Sequence, residues 1–592
     1  MVGGDHYHEA YSRGVCPTYA DPKEGLIMAA EAAAATTTRP ADVGLRRDMG
    51  LIGATWASET SIIGSGWLFG SYFAALAVGP AAIIDWLIGG AIVAILALVH
   101  AELGGMYPVS GGTARFPHFA FGSIAGISFG FFSWLQAITV APIECFAVMQ
   151  YGQYWFNAHH FYIYNATSGN VTGTGFIFTI ILMAIFTAIN FLAMRLFSKV
   201  NAGITWWKVA IPTLTIIVLL FYFHGGNFSA GGGFIPKGVG WKDIFTALPA
   251  SGIVFAYLGF EQADQLAGEV KNPQKNLPRA IILAMIIGTI IYVMLQVVFI
   301  AAMKPSLLTH GGFAGLACPT HGACPTVVSD IVSGPFAGLA GALGLSALAI
   351  ILYLDAFISP FGTGLMYQTS TSRIGYGLAR NRYYPPFFQW VDRNGVPWVS
   401  LILAFVFGLI FLLPFPSWHS LVGLVTSASV LMYAGAPLSL GAFRRQVPDA
   451  ERPYRLPGAA FLSPLAFALA NLIIYWSGFE IIWKLGICVV IGYVLIGAWI
   501  IFSSPENRPP LDGINWRSAQ WLPVYLIGMG VITWQGQFGP DNTGRIPFWW
   551  DMLVVAVFSV IIYFWAMYAR LPQDEMQLIV SQQAGGPDPR TH

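Results

Sequence analysis

Three small residues interrupt a stretch of apolar sequence that is long enough to cross a membrane. The stretch runs from about residue 49 to residue 78, and Gly64-Ser65-Gly66 lies near its middle. Glycine costs roughly 1 kcal/mol in a helix interior relative to alanine, and lipid offers no water to the backbone groups that a break leaves unpaired. Such a break is tolerated only where it is buried in protein or lines a cavity. We therefore expect residues 63–67 to form half of a substrate site.

A second break follows in the sixth apolar stretch, where Gly252 and Gly259 loosen the helix and Glu261 and Asp264 follow at membrane depth. If helices one to five and six to ten are two repeats, the breaks occupy corresponding positions, and the second repeat enters the membrane from the opposite side because five is odd. Interrupted segments at matching places indicate a transporter binding site, although glycines also simply let membrane helices pack closely. The candidate substrate-binding residues are Ile63, Gly64, Ser65, Gly66, Trp67, Phe255, Ala256, Tyr257, Gly259 and Phe260.

The two breaks could hold the two charged ends of a free amino acid. The second half of the first helix would begin near Gly64 with unpaired amide N–H groups, and a helix start carries partial positive charge that suits a carboxylate. The end of the first half-helix and the unwound stretch 255–257 would present carbonyl groups, which suit an ammonium group. We expect aromatic side chains such as Trp67, Tyr257 and Phe260 to gate or floor the pocket.

Lys208 is the one cation that we place inside a predicted span, about eight residues into helix five and so roughly 12 Å from its start. Its amine could extend back to the cytoplasmic surface, or it could be buried and gain and lose a proton during transport. Glu59 lies five residues before Gly64, at a similar depth. It could pair with Lys208, alternate with it as a proton site, or be an isolated protonated carboxyl group facing a polar crevice. We expect proton coupling through Lys208 and Glu59.

Further carboxylates lie at membrane depth, where their cost indicates a role, although hydrogen bonding between helices is the commoner reason for such groups. Asp355 and Ser359 are four residues apart and therefore share one helix face, from which they could line the pathway. The candidate pathway residues are Glu144, Glu261, Asp355 and Ser359. Three other groups sit towards the ends of helix two and are expected to be interfacial: Asp85, His100 and Glu102.

The composition indicates the kind of protein that positions these residues. Of 592 residues, 56% are hydrophobic and 10% are charged, and the mean hydropathy is +0.64. A soluble protein needs far more surface charge, so we expect an all-α polytopic protein in the lipid bilayer. The net charge of +1 gives no indication of nucleic-acid binding, and the sequence specifies no oligomeric state.

Runs of about 20 apolar residues predict about fourteen transmembrane helices. They lie near residues 50–77, 82–104, 123–150, 175–194, 201–223, 247–267, 279–302, 336–362, 397–413, 418–441, 462–479, 484–502, 519–534 and 550–569. With the amino terminus inside, 23 of the 29 Lys and Arg residues fall on the cytoplasmic side and five on the outer side, in agreement with the positive-inside rule. The chain then divides into a disordered cytoplasmic tail (1–48), a first repeat (49–223), a second repeat (224–441), four additional helices (442–570) and a polar cytoplasmic tail (571–592) that we also expect to be disordered.

Cysteine usage indicates no disulfide framework. Among five cysteines, only Cys318 and Cys324, in one outer loop, are placed to pair, as a disulfide or simply as two thiols. His310 and His321 lie in the same loop and make a zinc site conceivable but less favoured. We expect no metal and no cofactor, with the proton as the coupling ion.

Three stretches carry a family resemblance: 64–67 (GSGW), 255–259 (FAYLG) with Glu261, and 268–278 (GEVKNPQKNLP), the last being the most specific. Over about residues 45–570 the sequence resembles the amino acid–polyamine–organocation (APC) family of permeases. It most resembles the bacterial aspartate–proton symporter branch, by its fourteen-helix length and by the stretches 354–356 (LDA), 359–360 (SP), 414–418 (PFPSW) and 475–478 (YWSG).

The resemblance implies two inverted five-helix repeats in a LeuT-like fold that works by alternating access, with the two breaks as the substrate site. Permeases that resemble this chain carry a lysine at the place of Lys208, and a cation occupies the corresponding space in sodium-coupled relatives of the fold. Glu59 departs from the branch, in which this place is more often apolar, so substrate or coupling could differ here.

The sequence and the resemblance together predict a secondary active transporter, a proton-coupled amino-acid symporter in the plasma (inner) membrane. Acidic amino acids such as aspartate are favoured on the resemblance alone, and Lys208 is the one intramembrane cation that could receive a second carboxylate. An amino-acid exchanger and a carrier of polyamines or other organic cations are the alternatives; a nutrient sensor without transport is less favoured. A membrane enzyme would need clustered histidines or carboxylates at one interface, or a soluble catalytic domain. We find neither and expect no enzyme.

Overall fold

The computed structural model describes residues 49–109, 111–157, 161–192, 194–309, 311–319, 324–392, 395–540 and 544–583, with the side chains of residues 192–202 outside this set. The predicted amino-terminal tail therefore lies outside the described residues. Two short strands, β1 (Tyr164–Asn165) and β2 (Asn170–Val171), pair antiparallel in a loop. The remaining regular structure of the described chain is helical.

The first half of the chain contains both predicted breaks. Its helices are α1 (Leu51–Ile62), α2 (Ser65–Val78), α3 (Ala82–Met106), α4 (Gly112–Asn157), α5 (Gly173–Leu192), α6 (Met194–Leu220), α7 (Trp241–Ala250), α8 (Ile253–Tyr257), α9 (Gln262–Gln265) and α10 (Pro273–Ala302). Short 3-10 turns lie at Gly79–Ala81, Gly225–Ser229, Ala267–Glu269, Pro305–Leu307, Gly312–Leu316, Pro386–Gln389 and Pro505–Asn507.

The second half adds longer helices and a carboxy-terminal group. These are α11 (Thr326–Ser333), α12 (Pro335–Ala342), α13 (Ser346–Arg380), α14 (Trp398–Leu412), α15 (Trp418–Tyr433), α16 (Gly435–Gln446), α17 (Ala459–Trp476), α18 (Phe479–Phe502), α19 (Gly513–Ala519), α20 (Trp521–Gln535), α21 (Phe548–Ala569) and α22 (Gln573–Gln583).

Within the described residues, ten helical segments are long and apolar enough to cross a membrane. All fourteen predicted segments overlap helices, but the first is divided into α1 and α2, the sixth into α7, α8 and α9, and α14 and α20 have only 15 residues each. The protein is therefore a multi-pass membrane protein, and the number of crossings stays a prediction.

One predicted boundary is corrected by a turn in the backbone. The eighth segment was expected at 336–362, whereas α13 begins at Ser346, because a turn with Gly344 at φ 79° separates it from α12. The predicted start of the third segment at 123 agrees with a kink in α4 at Gly122, whose φ of 80° lies outside the helical region. Part of the expected carboxy-terminal tail is also ordered, since α22 buries Met576 and Leu578 against the bundle.

The helices around the two breaks form the centre of the bundle. α4 packs against α13, and α10 packs against α3 and α1. The apolar window of α4 is 94% buried in protein, compared with 22% for α18. α4 is therefore central, and α18 presents most of its apolar surface to lipid.

The two predicted breaks meet each other at this centre. A Cβ added to Gly66 would lie 2.7 Å from the Cα of Ala256, and one added to Gly259 would lie 2.7 Å from the carbonyl carbon of Ser61. Gly259 also has a φ of 115°, which favours glycine. The sequence thus uses glycine where the two interrupted helices approach backbone to backbone.

The outer loop holds a disulfide bond between Cys318 and Cys324, with Cα atoms 5.0 Å apart. His310 and His321 lie outside the described residues. Among the residues that are described, no group of three or more His, Cys, Asp and Glu side chains is placed to hold a metal ion.

The close approach at Gly66 predicts a packing defect on substitution. Gly66→Ala should lower the free energy of unfolding by about 1–3 kcal/mol, because the added methyl group must displace the backbone at Ala256. Gly377→Ala is the matched control, since a Cβ there meets nothing within 4 Å. Thermal unfolding of the purified variants measures the difference, and a Gly66→Ala variant as stable as Gly377→Ala would contradict this packing.

Candidate functional site

The carboxylate of Glu144, on α4, lies at the amino-terminal end of α2. Its Oε2 accepts a hydrogen bond from the Ser65 N–H at 2.9 Å, and its Oε1 accepts one from the Ser65 hydroxyl at 3.0 Å. The indole N–H of Trp418 donates to the same hydroxyl at 2.7 Å. A helix start carries partial positive charge, and this end of α2 binds a carboxyl group at the place predicted for a substrate carboxylate.

Gly64 explains why the carboxylate comes from another helix. It precedes α2 and has no side chain to cap the helix. A Cβ at this position would lie 2.8 Å from both Glu144 Oε1 and Thr363 Oγ1. The absence of a side chain therefore lets α4 and α13 approach the start of α2.

The amine of Lys208, on α6, lies at the carboxy-terminal end of α1. It donates to the Thr60 carbonyl at 2.5 Å and to the Thr363 hydroxyl at 2.7 Å, and that hydroxyl donates to the same carbonyl at 2.9 Å. A Cβ at Gly362 would lie 3.3 Å from the amine. Lys208 is fully buried, so the alternative in which it extends to the membrane surface is wrong.

Three buried carboxyl groups, those of Glu59, Glu144 and Asp355, lie near enough to Lys208 to attract its amine when they are ionised. Asp355 accepts hydrogen bonds at 2.8 Å from both the Trp207 indole and the Ser359 hydroxyl, so the two residues predicted to share a helix face are bonded. Neither carboxylate oxygen of Glu59 has a hydrogen-bond partner in the described part of the chain. A buried charge without a partner is costly, so we expect Glu59 to carry a proton or to bind a ligand.

Glu261 holds the second break in its unwound form. Its Oε2 accepts hydrogen bonds from the Gly259 N–H at 2.9 Å and from the Tyr433 hydroxyl, and its Oε1 accepts one from the Tyr367 hydroxyl at 3.2 Å. The carboxylate thus satisfies a backbone N–H that the break exposes. This geometry favours a structural role for Glu261 over the predicted role in the pathway.

A cavity of about 10 Å³ lies between the two breaks. Its lining residues are Ser61, Ile62, Gly64, Val140, Glu144, Phe255, Leu258, Thr363 and Tyr367. This volume is about that of one water molecule, so an amino acid does not fit. In this structure the space between the breaks is therefore closed to a molecule of that size.

The aromatic residues expected to gate the pocket are placed differently. Phe255 lines the cavity, whereas Trp67, Tyr257 and Phe260 do not. The Tyr257 hydroxyl donates to the Trp86 carbonyl at 2.9 Å and so points into α3. Phe255 and Tyr257 are two residues apart on α8, so their side chains point to different sides of this helix.

The other candidates lie in the contact between the breaks. Ser65 and Gly66 form the first turn of α2, while Ile63 and Ala256 are buried where the two interrupted helices touch. The structure therefore brings Gly64, Glu144 and Phe255 together around one cavity. Ser65 is bonded to Glu144, and Lys208 is bonded to the lining residue Thr363.

Sequence reasoning missed Thr60, Thr363 and Trp418. Thr363 follows Ser359 by four residues and Asp355 by eight, so the same helical spacing would have found it. Thr60 contributes a backbone carbonyl, which no residue type reveals.

Asp85, His100 and Glu102 are fully buried in the bundle, and their predicted interfacial depth stays a prediction. Glu102 pairs with Arg444 at 2.6 Å and with Arg452 at 3.1 Å. The His100 ring packs against Phe260, with centroids 5.2 Å apart. His100 faces the interior because α3 packs beside the second break. The rings that pack together at this contact are those of His100, Phe260 and Tyr433.

A family model and several known transporters resemble this chain in sequence. Residues 53–503 match the family model described as amino acid permease. The chain is 36% identical over 530 residues to the glutamate/serine transporter AimA of Bacillus subtilis (strain 168), covering 88% of this chain and 94% of that protein. It is 35% identical over 534 residues to the aspartate-proton symporter of the same organism, covering 89% and 97%. The branched-chain amino acid permease BcaP of that organism is 24% identical over 477 residues, covering 78% and 94%.

The family match includes both breaks together with Glu144 and Lys208, and the two most similar of these relatives are aligned over nearly their whole length. The predicted resemblance is thereby confirmed, and the chain belongs to the amino acid permease family.

Proposed function

We propose that this protein imports amino acids together with protons by alternating access. The observation that supports this most is the carboxylate of Glu144 bound at the start of α2, beside the amine of Lys208 bound at the end of α1. A free amino acid carries the same two charged groups. The backbone that binds these side chains in the closed conformation therefore suits a substrate in the open one.

Glu144 would link substrate binding to the proton. A substrate carboxylate at Ser65 displaces Glu144 from the helix start, and two carboxylates in so small a buried space repel each other unless one is neutral. Uptake of one proton converts the Glu144 carboxylate to the neutral acid and removes this repulsion. Release of substrate on the other side restores the hydrogen bonds to Ser65 and the ionised form.

The positive charge of Lys208 would favour the ionised form of Glu144 until substrate arrives. The pair then carries one exchangeable proton per cycle. Glu59, which also acts electrostatically on Lys208 and whose oxygens are unpartnered in the described chain, is a second site for that proton. Asp355 is less suited, because Trp207 and Ser359 already hold it.

Acidic amino acids are the favoured substrates. The names of two relatives specify aspartate and glutamate/serine. The Lys208 amine offers a cation to a second carboxylate, and the hydroxyl groups of Thr363 and Tyr367 at the cavity suit a serine side chain. Both substrate types fit a site whose main contacts are to the amino-acid backbone.

We further propose fourteen crossings of the plasma (inner) membrane with both tails, 1–48 and 571–592, in the cytoplasm. The repeats would be residues 49–223 and 224–441 in inverted orientation, followed by the additional helices in 442–570. The asymmetric distribution of Lys and Arg supports this orientation. The contact between the two breaks supports the pairing of the repeats.

Uptake into liposomes tests the function. Purified protein, assayed with twenty labelled amino acids and an inside-alkaline pH gradient, should concentrate L-aspartate or L-glutamate, because protons enter with the substrate. A protonophore should abolish the accumulation. Uptake that requires preloaded counter-substrate and ignores the pH gradient would instead identify an exchanger.

The lysine variant tests the coupling. Lys208→Ala should reduce accumulation driven by the pH gradient about tenfold or more. This change corresponds to a coupling free energy in the range of about 1–3 kcal/mol that is typical of two linked sites. Exchange of labelled for unlabelled substrate without a gradient should persist, because the backbone contacts remain. Lys304→Ala, which removes an exposed amine from a loop, is the matched control. Undiminished uphill uptake by Lys208→Ala would rule out Lys208 as a coupling residue.

A further inference from the structure

Two neighbouring cavities at one end of the helical bundle are lined by arginines. The first has a volume of about 590 Å³ and lies between the end of α16, the start of α17 and α21. The second has a volume of about 430 Å³ and lies among the ends of α16, α19 and α21. Both volumes fall in the range of about 300–1,000 Å³ typical of ligand sites. The lining arginines are Arg444, Arg445, Arg455, Arg517 and Arg570, of which Arg445 lines both cavities.

The positive charge of these cavities is largely uncompensated. Arg444 pairs with Glu102, but the other four arginines have no carboxylate within 4.0 Å among the described residues. Burial and the like charge of Arg445 lower the pKa of Arg570 from its ordinary value. Like charges held together in this way favour an anionic ligand.

The guanidinium groups are anchored and still have free donors. Arg570 donates from Nη1 to the Met567 carbonyl at 2.5 Å, and Arg445 donates from Nη1 to the Gly441 carbonyl at 3.0 Å. Each bond ties the side chain to the last turns of its own helix. Since a guanidinium has five N–H donors, most of each group remains available for the oxygens of a ligand.

The cavities lie at the end of a helix that is long and apolar enough to cross a membrane. This helix, α21, ends at Ala569, directly before Arg570. On this helix Phe564 is 51% exposed and Tyr568, which lines the second cavity, is 77% exposed. Exposed aromatic rings are typical of the level of the lipid headgroups. A soluble anion would gain nothing from this apolar surface, whereas a lipid would contact it with its chains.

We propose that the two arginine cavities bind the phosphate-bearing headgroup of an anionic phospholipid, whose acyl chains lie along α21. Arginine binds phosphate oxygens in a bidentate manner, and basic pockets between membrane helices recognise anionic headgroups. The site is separate from the breaks, so it stands whether or not the proposed transport cycle is correct. Inorganic phosphate shares the same chemistry, and the experiment must separate the two ligands.

Native mass spectrometry of the detergent-purified protein measures this binding. In titrations with phosphatidylglycerol and phosphatidylcholine, the wild-type protein should retain phosphatidylglycerol about thirtyfold more tightly, because Arg445 and Arg570 each contribute about 1 kcal/mol near an anionic headgroup. Arg445→Gln/Arg570→Gln should lose this preference. Arg279→Gln/Arg380→Gln, which removes the same charge from exposed arginines outside the cavities, should keep it.

Equal phosphatidylglycerol binding by both double variants would overturn the proposal, since the preference would then depend on net charge alone. Complete displacement of the lipid by millimolar inorganic phosphate, with an equal rise in Tm, would identify a soluble anion as the ligand and also overturn it. If the double variant does not fold, Arg445→Gln alone should bind phosphatidylglycerol about fivefold more weakly, and unchanged binding would contradict the site.

Discussion

Every backbone group at a break in a membrane helix must be satisfied by the protein, because lipid supplies no water. Here the Ser65 N–H is bonded to Glu144, the Gly259 N–H is bonded to Glu261, and the carbonyl end of α1 is bonded to Lys208. The buried polar side chains therefore stabilise the breaks, and the breaks provide the hydrogen-bond partners of these side chains. Polar side chains are tolerated at this depth because they bind backbone groups that the breaks leave unpaired. The helices stay interrupted because these side chains replace the missing helical hydrogen bonds.

The two glutamates at the breaks differ in the number of groups that bind them. This difference favours a structural role for Glu261 and a functional role for Glu144. Glu261 accepts hydrogen bonds from Gly259, Tyr367 and Tyr433, so removing it would leave several groups unpaired. Glu144 accepts both of its hydrogen bonds from Ser65. In the proposed cycle a substrate carboxylate replaces Glu144 without leaving the helix start unsatisfied, and for this reason we connect Glu144 with the proton.

The breaks, Lys208 and the carboxylates could be predicted because glycine and charge are costly in a membrane and therefore conspicuous in the sequence. Their partners could not be predicted in the same way. Glu144 and Ser65 are 79 residues apart, and only the packing of α4 against α2 brings them together. Lys208 binds a backbone carbonyl, which has no sequence signal. Tyr257 was misplaced because its direction depends on where α8 unwinds.

Proton uptake on substrate binding tests the central claim, that the substrate carboxylate replaces Glu144 at the start of α2. Calorimetric titration of the best substrate into purified protein, repeated in buffers with different ionisation enthalpies, counts the protons exchanged. We predict uptake of about one proton per bound substrate at a pH where free Glu144 is ionised, and close to none for Glu144→Gln, which binds substrate without needing to be neutralised. A wild-type binding enthalpy that is the same in every buffer would contradict the account.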